Sequence, residues 1–424
     1  MSGADAAAPS ASSRRALMAA CVGNVVEWYD FAIFGALGIV LVPVFFPSEA
    51  GVDLLLAAFA VYATAFLARP IGAVYAGRRG DARGRTGVLA SVVLVMSGAT
   101  AAIGLLPGEA RIGVAAGVLV VLLRAAQGLA AGGELGLAAV FIAEHADRGR
   151  RGFVASWHTA TLCLGIALGF GVGGLILWAT SAEDGESGWW RLAFVLALPL
   201  GLIGVYVRRL VDPPLFTASD TPRPSAPVGD LWRQRGPAVR AGFVLVGAGS
   251  LAFNTWFVFL PNHLVDTTSR SLDAALLTSV GGLVVAALSA VCLGRWSDLR
   301  GRRPVVLSSA ALLAVAAVPL WLLAGSGSLL AMAAAQTLVG VGVGGVLSVA
   351  TLAEQFPTRL RATGLALTAG LGTALLGGTG PLVDQILIRA TGVDALPGVY
   401  AAIVAALALV AVYRLPETAG SELS

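Results

Sequence analysis

The stretch GRRGDARGRT, residues 77–86, returns as GRWSDLRGRR, residues 294–303. Gly77, Asp81, Gly84 and Arg85 reappear 217 positions later as Gly294, Asp298, Gly301 and Arg302. Each copy joins one apolar run to the next, so the repeated unit is far larger than the loop. A parallel repeat of that size is the plan of a secondary transporter, with its binding site between two like halves near the bilayer midplane.

Outward from the loops, apolar runs of about the 20 residues needed to cross hydrocarbon recur along the chain. They fall at 16–42, 53–77, 87–106, 112–143, 153–180 and 190–210, then at 238–264, 273–294, 304–324, 328–354, 362–388 and 396–414. The expected fold is an all-α membrane protein of twelve transmembrane helices in two six-helix halves. Residues 1–13 read as a disordered cytoplasmic tail, 14–210 as the N-terminal half and 237–414 as the C-terminal half, with 415–424 as a second cytoplasmic tail. Between the halves, 211–236 carries DPPLF, TPRPSAPVGD and RQRGP, has no apolar face to bury, and reads as a central cytoplasmic linker.

Composition agrees. Of the 424 residues 57% are hydrophobic and 12% charged, about half the charged share of a soluble domain. Every basic residue apart from three histidines is Arg. With the N-terminus inside, 22 of the 28 arginines fall in cytoplasmic connections and 4 outside, with Arg69 and Arg124 inside spans. That bias expects both termini in the cytoplasm of a multi-pass protein of the bacterial inner or plasma membrane, with the lipid bilayer as its solvent. Arg14 and Arg15 serve as inside anchors rather than an export signal, because Glu27 and Asp30 interrupt the apolar run that follows. The net charge of +4 is spread over short loops, so no nucleic acid is expected. Cys21, Cys163 and Cys292 lie in separate apolar runs and read as packed small residues. No metal set, nucleophile–base pair or Walker lysine is present, so neither an enzyme nor a cofactor is expected. Gly169, Gly171, Gly174 and Gly340, Gly342, Gly345 fit GxGxxG, yet both lie mid-span and read as packing glycines.

Acids and arginines inside spans are expensive and normally face a partner or a cavity. In GNVVEWYDFAIFG, residues 23–35, Asn24, Glu27, Phe31 and Phe34 share one helical face, with Tyr29 and Asp30 beside it. In RAAQGLAAGGELG, from Arg124, the residues Arg124, Gln127 and Glu134 share a face. Gly128, Gly132 and Gly136 form a second stripe suited to close helix contact.

These stretches resemble the major facilitator superfamily. The opening motif, RPIGAVYAGRRGD from Arg69, RAAQGLAAGGELG, WWRLAF from Trp189 and EQFPTRLRATG from Glu354 are similar to its metabolite:H+ symporter branch, with carriers for ketoglutarate, citrate, shikimate, and proline or betaine. The loop signature departs at Ala82, Thr86 and Leu299, where basic residues are usual. The resemblance implies a secondary active transporter that moves a small organic acid or zwitterionic metabolite with H+ by alternating access. Rival readings are a proton-coupled exporter of amphiphilic compounds and a non-transporting membrane sensor. It also implies that the two loops latch the cytoplasmic side through Gly77, Asp81, Arg83, Gly84, Arg85, Gly294, Asp298, Gly301, Arg302 and Arg303.

On this reading Asn24, Glu27, Tyr29, Asp30, Arg124, Gln127, Glu134, His158, Asn254 and Gln336 bind substrate or protons. Arg124 is expected to pair with Asp30 or Glu27 in the empty site and with a substrate carboxylate in the filled one, its planar fork suiting that group. A fixed structural ion pair is the alternative. His158, near a cytoplasmic end, reads as a polar contact before a relay. Asn254 and Gln336 are candidates for the cavity wall or, equally, for hydrogen bonds between helices, and Asp384, deep in the eleventh span, is read as a tuner of substrate choice.

Overall fold

A computed structural model describes residues 11–46, 53–83, 85–132, 148–180, 188–210, 228–268 and 270–421. The regular elements among them are helical, because a spanning segment in lipid must satisfy its own backbone N–H and C=O groups. In chain order they are α1 (Ala11–Phe45), α2 (Leu54–Arg83), α3 (Arg85–Leu105), α4 (Ala115–Gly132), α5 (Arg151–Thr180) and α6 (Trp190–Val195 running into Ala197–Leu210). Then come α7 (Val228–Phe253, continuing to Thr267), α8 (Leu272–Arg300), α9 (Arg302–Ala324) and α10 (Leu329–Val346, with a short turn Val349–Ala353). α11 (Thr358–Gly372, continuing to Thr391) and α12 (Leu396–Tyr413) close the series. Eleven described stretches are long and apolar enough to cross a membrane, and α3, whose apolar part is Ser91–Leu105, makes the twelfth.

The described spans follow the apolar runs closely. Two boundaries differ: α1 already begins at Ala11, inside the stretch read as a disordered tail, and at the centre of the chain α7 already begins at Val228, inside the stretch read as linker. It bends at Arg235 (φ −136°, ψ 26°), just before Pro237, whose ring and missing N–H cannot continue a straight helix. The helix resumes beyond the bend because the apolar face returns there. Glu134 and Gly136 lie outside the described residues. Both GxGxxG stretches are helical, in α5 and α10.

Small residues set the closest approaches. A Cβ on Gly128 would come 1.9 Å from the Ala65 carbonyl oxygen, and one on Gly132 would come 2.0 Å from that of Arg69. α2 and α4 are therefore in backbone contact along the predicted glycine stripe. Across the halves, α5 packs along α8, and a Cβ on Gly152 would come 2.4 Å from the Gly294 carbonyl oxygen. Two π-helical turns, Asn254–Phe259 in α7 and Thr373–Gly378 in α11, widen those helices at mid-span. Such turns are rare and concentrate where side chains must be re-aimed.

Candidate functional site at the centre of the bundle

α1 crosses the N-terminal half with almost every side chain from Val26 to Val42 buried. Its polar residues turn to different neighbours. Asn24 Nδ2 donates to the His158 carbonyl (2.9 Å) and the Thr161 hydroxyl (2.8 Å), tying α1 to α5. The Tyr29 hydroxyl donates to the Ala193 carbonyl at 2.7 Å, so this ring faces α6 rather than the aromatic face of Phe31 and Phe34. Asp30 is 0% exposed; its Oδ2 accepts from the Ser97 hydroxyl at 3.1 Å and its Oδ1 has no partner.

Arg124, also 0% exposed, donates through Nη1 to Gln127 Oε1 (2.8 Å) and through Nη2 to the Tyr62 carbonyl (3.2 Å). Its guanidinium carbon lies 4.4 Å from the Phe34 ring centroid. Gln127 Nε2 in turn donates to the Thr100 hydroxyl at 2.6 Å. The expected Arg124–Asp30 ion pair is absent in this conformation. Instead Thr100 of α3 stands between the two sides, accepting from Gln127 and hydrogen-bonding Asp30, which Ser97, one turn away, also serves. The reason is steric: Arg124 lies flat against the rings of α1 and α2, and the Tyr62 carbonyl and Gln127 fill its fork. Glu27 is buried and acts electrostatically on Arg69 of α2.

The two halves meet at the same depth. The Tyr62 hydroxyl donates to Asn254 Oδ1 at 2.8 Å, and Asn254 Nδ2 reaches the Ser250 carbonyl at 2.8 Å. Gln336 Nε2 donates to the Trp256 carbonyl (2.8 Å) and the Ser279 hydroxyl (2.9 Å). Asp384 accepts from the Thr255 hydroxyl at 2.7 Å. Asn254, Thr255 and Trp256 all belong to the π-turn of α7, which gathers these contacts on one widened turn. His158 is half-buried on α5.

On the loop side, Asp298 accepts from the backbone N–H groups of Gly152 and Phe153, both at 2.8 Å. It thus caps the start of α5 from the opposite half, where the helix dipole favours a carboxylate. Arg302 joins Asp298 at 2.7 Å and both Glu354 oxygens at 3.1 Å. Gly301 sits at φ +104° against the Glu417 carboxylate, which accepts from the Arg302 and Arg303 N–H groups. Burial pushes the Glu417 carboxyl up, but hydrogen bonds from the backbone of Ala419, Arg302, Arg303 and Thr418 outweigh it and hold the group below the ordinary value. Gly294 and Arg303 complete the second copy of the loop. The helices α2 and α3 carry Gly77, Asp81, Arg83 and Arg85, but those side chains, and Gly84 altogether, lie outside the described residues. At the opposite end, Asp53 binds Arg389 and Gln385, joining the start of α2 to the end of α11.

A family model of the major facilitator superfamily matches residues 20–288, and one of sugar and other transporters matches 216–424. The chain belongs to the major facilitator superfamily. It is 33% identical to the ectoine/proline transporter of Corynebacterium glutamicum over 97% of this chain and 85% of that protein. It is 31% identical to a citrate-proton symporter of Salmonella typhi over 90% of this chain and 89% of that protein. The fold matches the structure of the proton:xylose symporter XylE bound to 6-bromo-6-deoxy-D-glucose, with a TM-score of 0.78, 18% identity and 98% coverage of each chain. The chain is therefore a multi-pass membrane transporter and not an enzyme.

Sequence reading within this superfamily missed three features. Arg69 was visible as a charge inside a span, yet nothing in the spacing revealed the rings around it. Tyr62 carries no signal, since a tyrosine in an apolar run is ordinary. Glu417 lies in a short polar tail, and only the folded chain brings it to the start of α9.

Proposed function

We propose that this transporter takes up a small carboxylate-bearing metabolite together with H+ by alternating access, with both termini in the cytoplasm of the bacterial inner membrane. The observation that carries the proposal is the polar array on α3, in which Thr100 stands between the Arg124–Gln127 pair and Asp30. Arg124 and Asp30 are both fully buried, yet they do not neutralise each other, and each keeps an atom without a hydrogen bond, Nε and Oδ1. An arriving carboxylate displaces the neutral Gln127 and Tyr62 acceptors from the guanidinium fork in favour of charge-assisted bonds, while Asp30 and Glu27 supply the acid for the proton. Adding or removing a proton on Asp30 changes the charge facing Arg124 across α3, and a substrate carboxylate on Arg124 answers that change. The names of the relatives, a proton symporter for citrate and a transporter for ectoine and proline, agree with this reading.

The remaining assignments follow. Asn24, Gln127, Glu134, Asn254 and Gln336 shape the site from both halves, residues 14–210 and 237–414, and Tyr29 supports it from behind through α6. His158 holds the α1–α5 contact, and Asp384 tunes substrate choice. The two glycine-and-arginine loops latch the cytoplasmic face, and the Asp298–α5 contact is the latch in its closed state. The test is Asp30→Asn in proteoliposomes. Exchange of labelled substrate for unlabelled should persist, whereas uphill uptake driven by a pH gradient should disappear. Uphill uptake at wild-type rate in Asp30→Asn would remove Asp30 from the coupling.

A further inference from the structure

Asp384 lies in α11 just beyond its π-turn and is 0% exposed. Its Oδ2 accepts from the Thr255 hydroxyl at 2.7 Å, and its Oδ1 has no hydrogen-bond partner. Among the described residues no ion pair reaches it; its polar neighbours are that hydroxyl and the phenol of Tyr400 on α12. A carboxylate held there is an uncompensated charge out of water, which is expensive, whereas the neutral acid is not.

The acid and its hydroxyl partner stand directly behind a seam between the halves. At the end opposite the Asp298 contact, here the outer end, α7 and α11 close against α1 and α2. Asn254, the residue before Thr255, accepts from the Tyr62 hydroxyl at 2.8 Å. Gln385, the residue after Asp384, donates to Asp53 Oδ2 at 2.9 Å, and Arg389 binds the same oxygen. Asn262 Nδ2 donates to the Gly35 carbonyl at 3.1 Å, and the Phe59 and Phe259 rings meet at 5.3 Å. All of these contacts cross between the halves, so the motion that makes them also covers the α7–α11 face and strips water from Asp384.

We propose that closing the outer seam takes up a proton on Asp384. With the seam open the carboxylate is hydrated and ionised; with it closed the group is the neutral acid. The proton comes from water on the outer side and returns there when the seam reopens, so Asp384 gates the cycle apart from the coupled proton. The closed state binds the extra proton, and low pH therefore favours closure, by a factor approaching tenfold per pH unit where only that state is protonated. Other ionisable groups flank this seam. Burial pushes the Asp53 carboxyl up, but bonds from Gln385, the Leu56 N–H and Arg389 outweigh it and hold the group below its ordinary value, so Asp53 stays ionised above about pH 5. Arg389 keeps its charge throughout. His263 of α7, beside Asp266 and Asp394, is tested by substitution.

The experiment is a distance measurement between nitroxides at Val114→Cys and Val393→Cys, exposed positions at the outer ends of the two halves. The full chain, lacking Cys21, Cys163 and Cys292, is held in detergent without substrate. From about pH 5 to about pH 9 the ratio of long-distance to short-distance molecules should rise at least about tenfold. Asp384→Asn keeps the shape and the Thr255 contact but cannot ionise, and should stay at the short distance with a ratio flat within about twofold. Asp384→Glu, Asp30→Asn and His263→Gln should keep the dependence. A ratio in the unsubstituted acid that does not move with pH overturns the inference, whatever the variants do. So does a dependence that survives in Asp384→Asn or vanishes in His263→Gln. No substrate is present, so failure here leaves Asp30-dependent uptake standing, and failure of that uptake leaves this result standing.

Discussion

Replacing Asp298 by alanine should open the cytoplasmic face. Asp298 makes two kinds of contact, and only one of them crosses between the halves. Its ion pair with Arg302 lies within a single half, at i and i+4, and survives a rocking motion unchanged. The two bonds from Gly152 and Phe153, each 2.8 Å, exist only while α5 and α8 are together. At about 1.5 kcal/mol for each charge-assisted bond, near the low end of the usual range, their loss disfavours the closed state by about 3 kcal/mol. That corresponds to a rise of about 10²-fold in the ratio of inward-open to closed molecules. A cysteine at Ala290, 1% exposed on α8, reports it in a background lacking Cys21, Cys163 and Cys292. Its labelling by a maleimide from the cytoplasmic side should accelerate by about 10²-fold in Asp298→Ala, and by less in Asp298→Asn, whose amide oxygen still accepts one N–H. A rate within about twofold of the parent in Asp298→Ala, with melting temperature preserved, would refute the assignment of this contact as an inter-half latch, because 3 kcal/mol cannot hide in such an assay.

Two further outcomes follow from local geometry. Because the folded Glu417 carboxyl lies below its ordinary value, its contribution to stability is complete above the unfolded value of about 4.3 and is lost as pH falls through the lower folded value. The difference in melting temperature between wild type and Glu417→Gln should therefore be flat from neutral pH down to about 5 and should shrink below about 4; a difference that grew on acidification would contradict the hydrogen-bonding account. Gly128→Ala should cost folding outright, since its Cβ would meet the Ala65 carbonyl oxygen at 1.9 Å and two packed helix backbones cannot yield as a side-chain tip can. A monodisperse Gly128→Ala protein with wild-type melting would remove the α2–α4 contact from the account.

Fold was legible because hydrocarbon imposes simple rules. Span length, loop arginines and the loop repeat each report on the bilayer, and the apolar runs therefore fall on the helices α1 to α12. The helix faces of α1 and α4 were legible in part. Asn24, Asp30, Arg124 and Gln127 are all buried, as charges and amides in mid-span must be. Their partners were not legible, because periodicity tells which residues share a face but not which third helix intervenes. Thr100 of α3 stands between Asp30 and the Arg124–Gln127 pair, with Ser97 beside Asp30, and two hydroxyl residues in an apolar run carry no such message. Tyr29 turned to α6 for the same reason: one residue of helical rotation, about 100°, decides between the cavity and the neighbouring helix. The π-turn at Asn254–Phe259 shifts the face of α7 by a further residue, which no 3.6-residue pattern anticipates.

The central claim is tested most directly by internal pH in proteoliposomes holding the full chain, with membrane potential clamped by a potassium gradient, as carboxylates and betaines are added outside one at a time. The account predicts internal acidification on adding a carboxylate substrate, abolished in Asp30→Asn. Uptake of the same compound with no pH change, or with acidification that survives in Asp30→Asn, would contradict it.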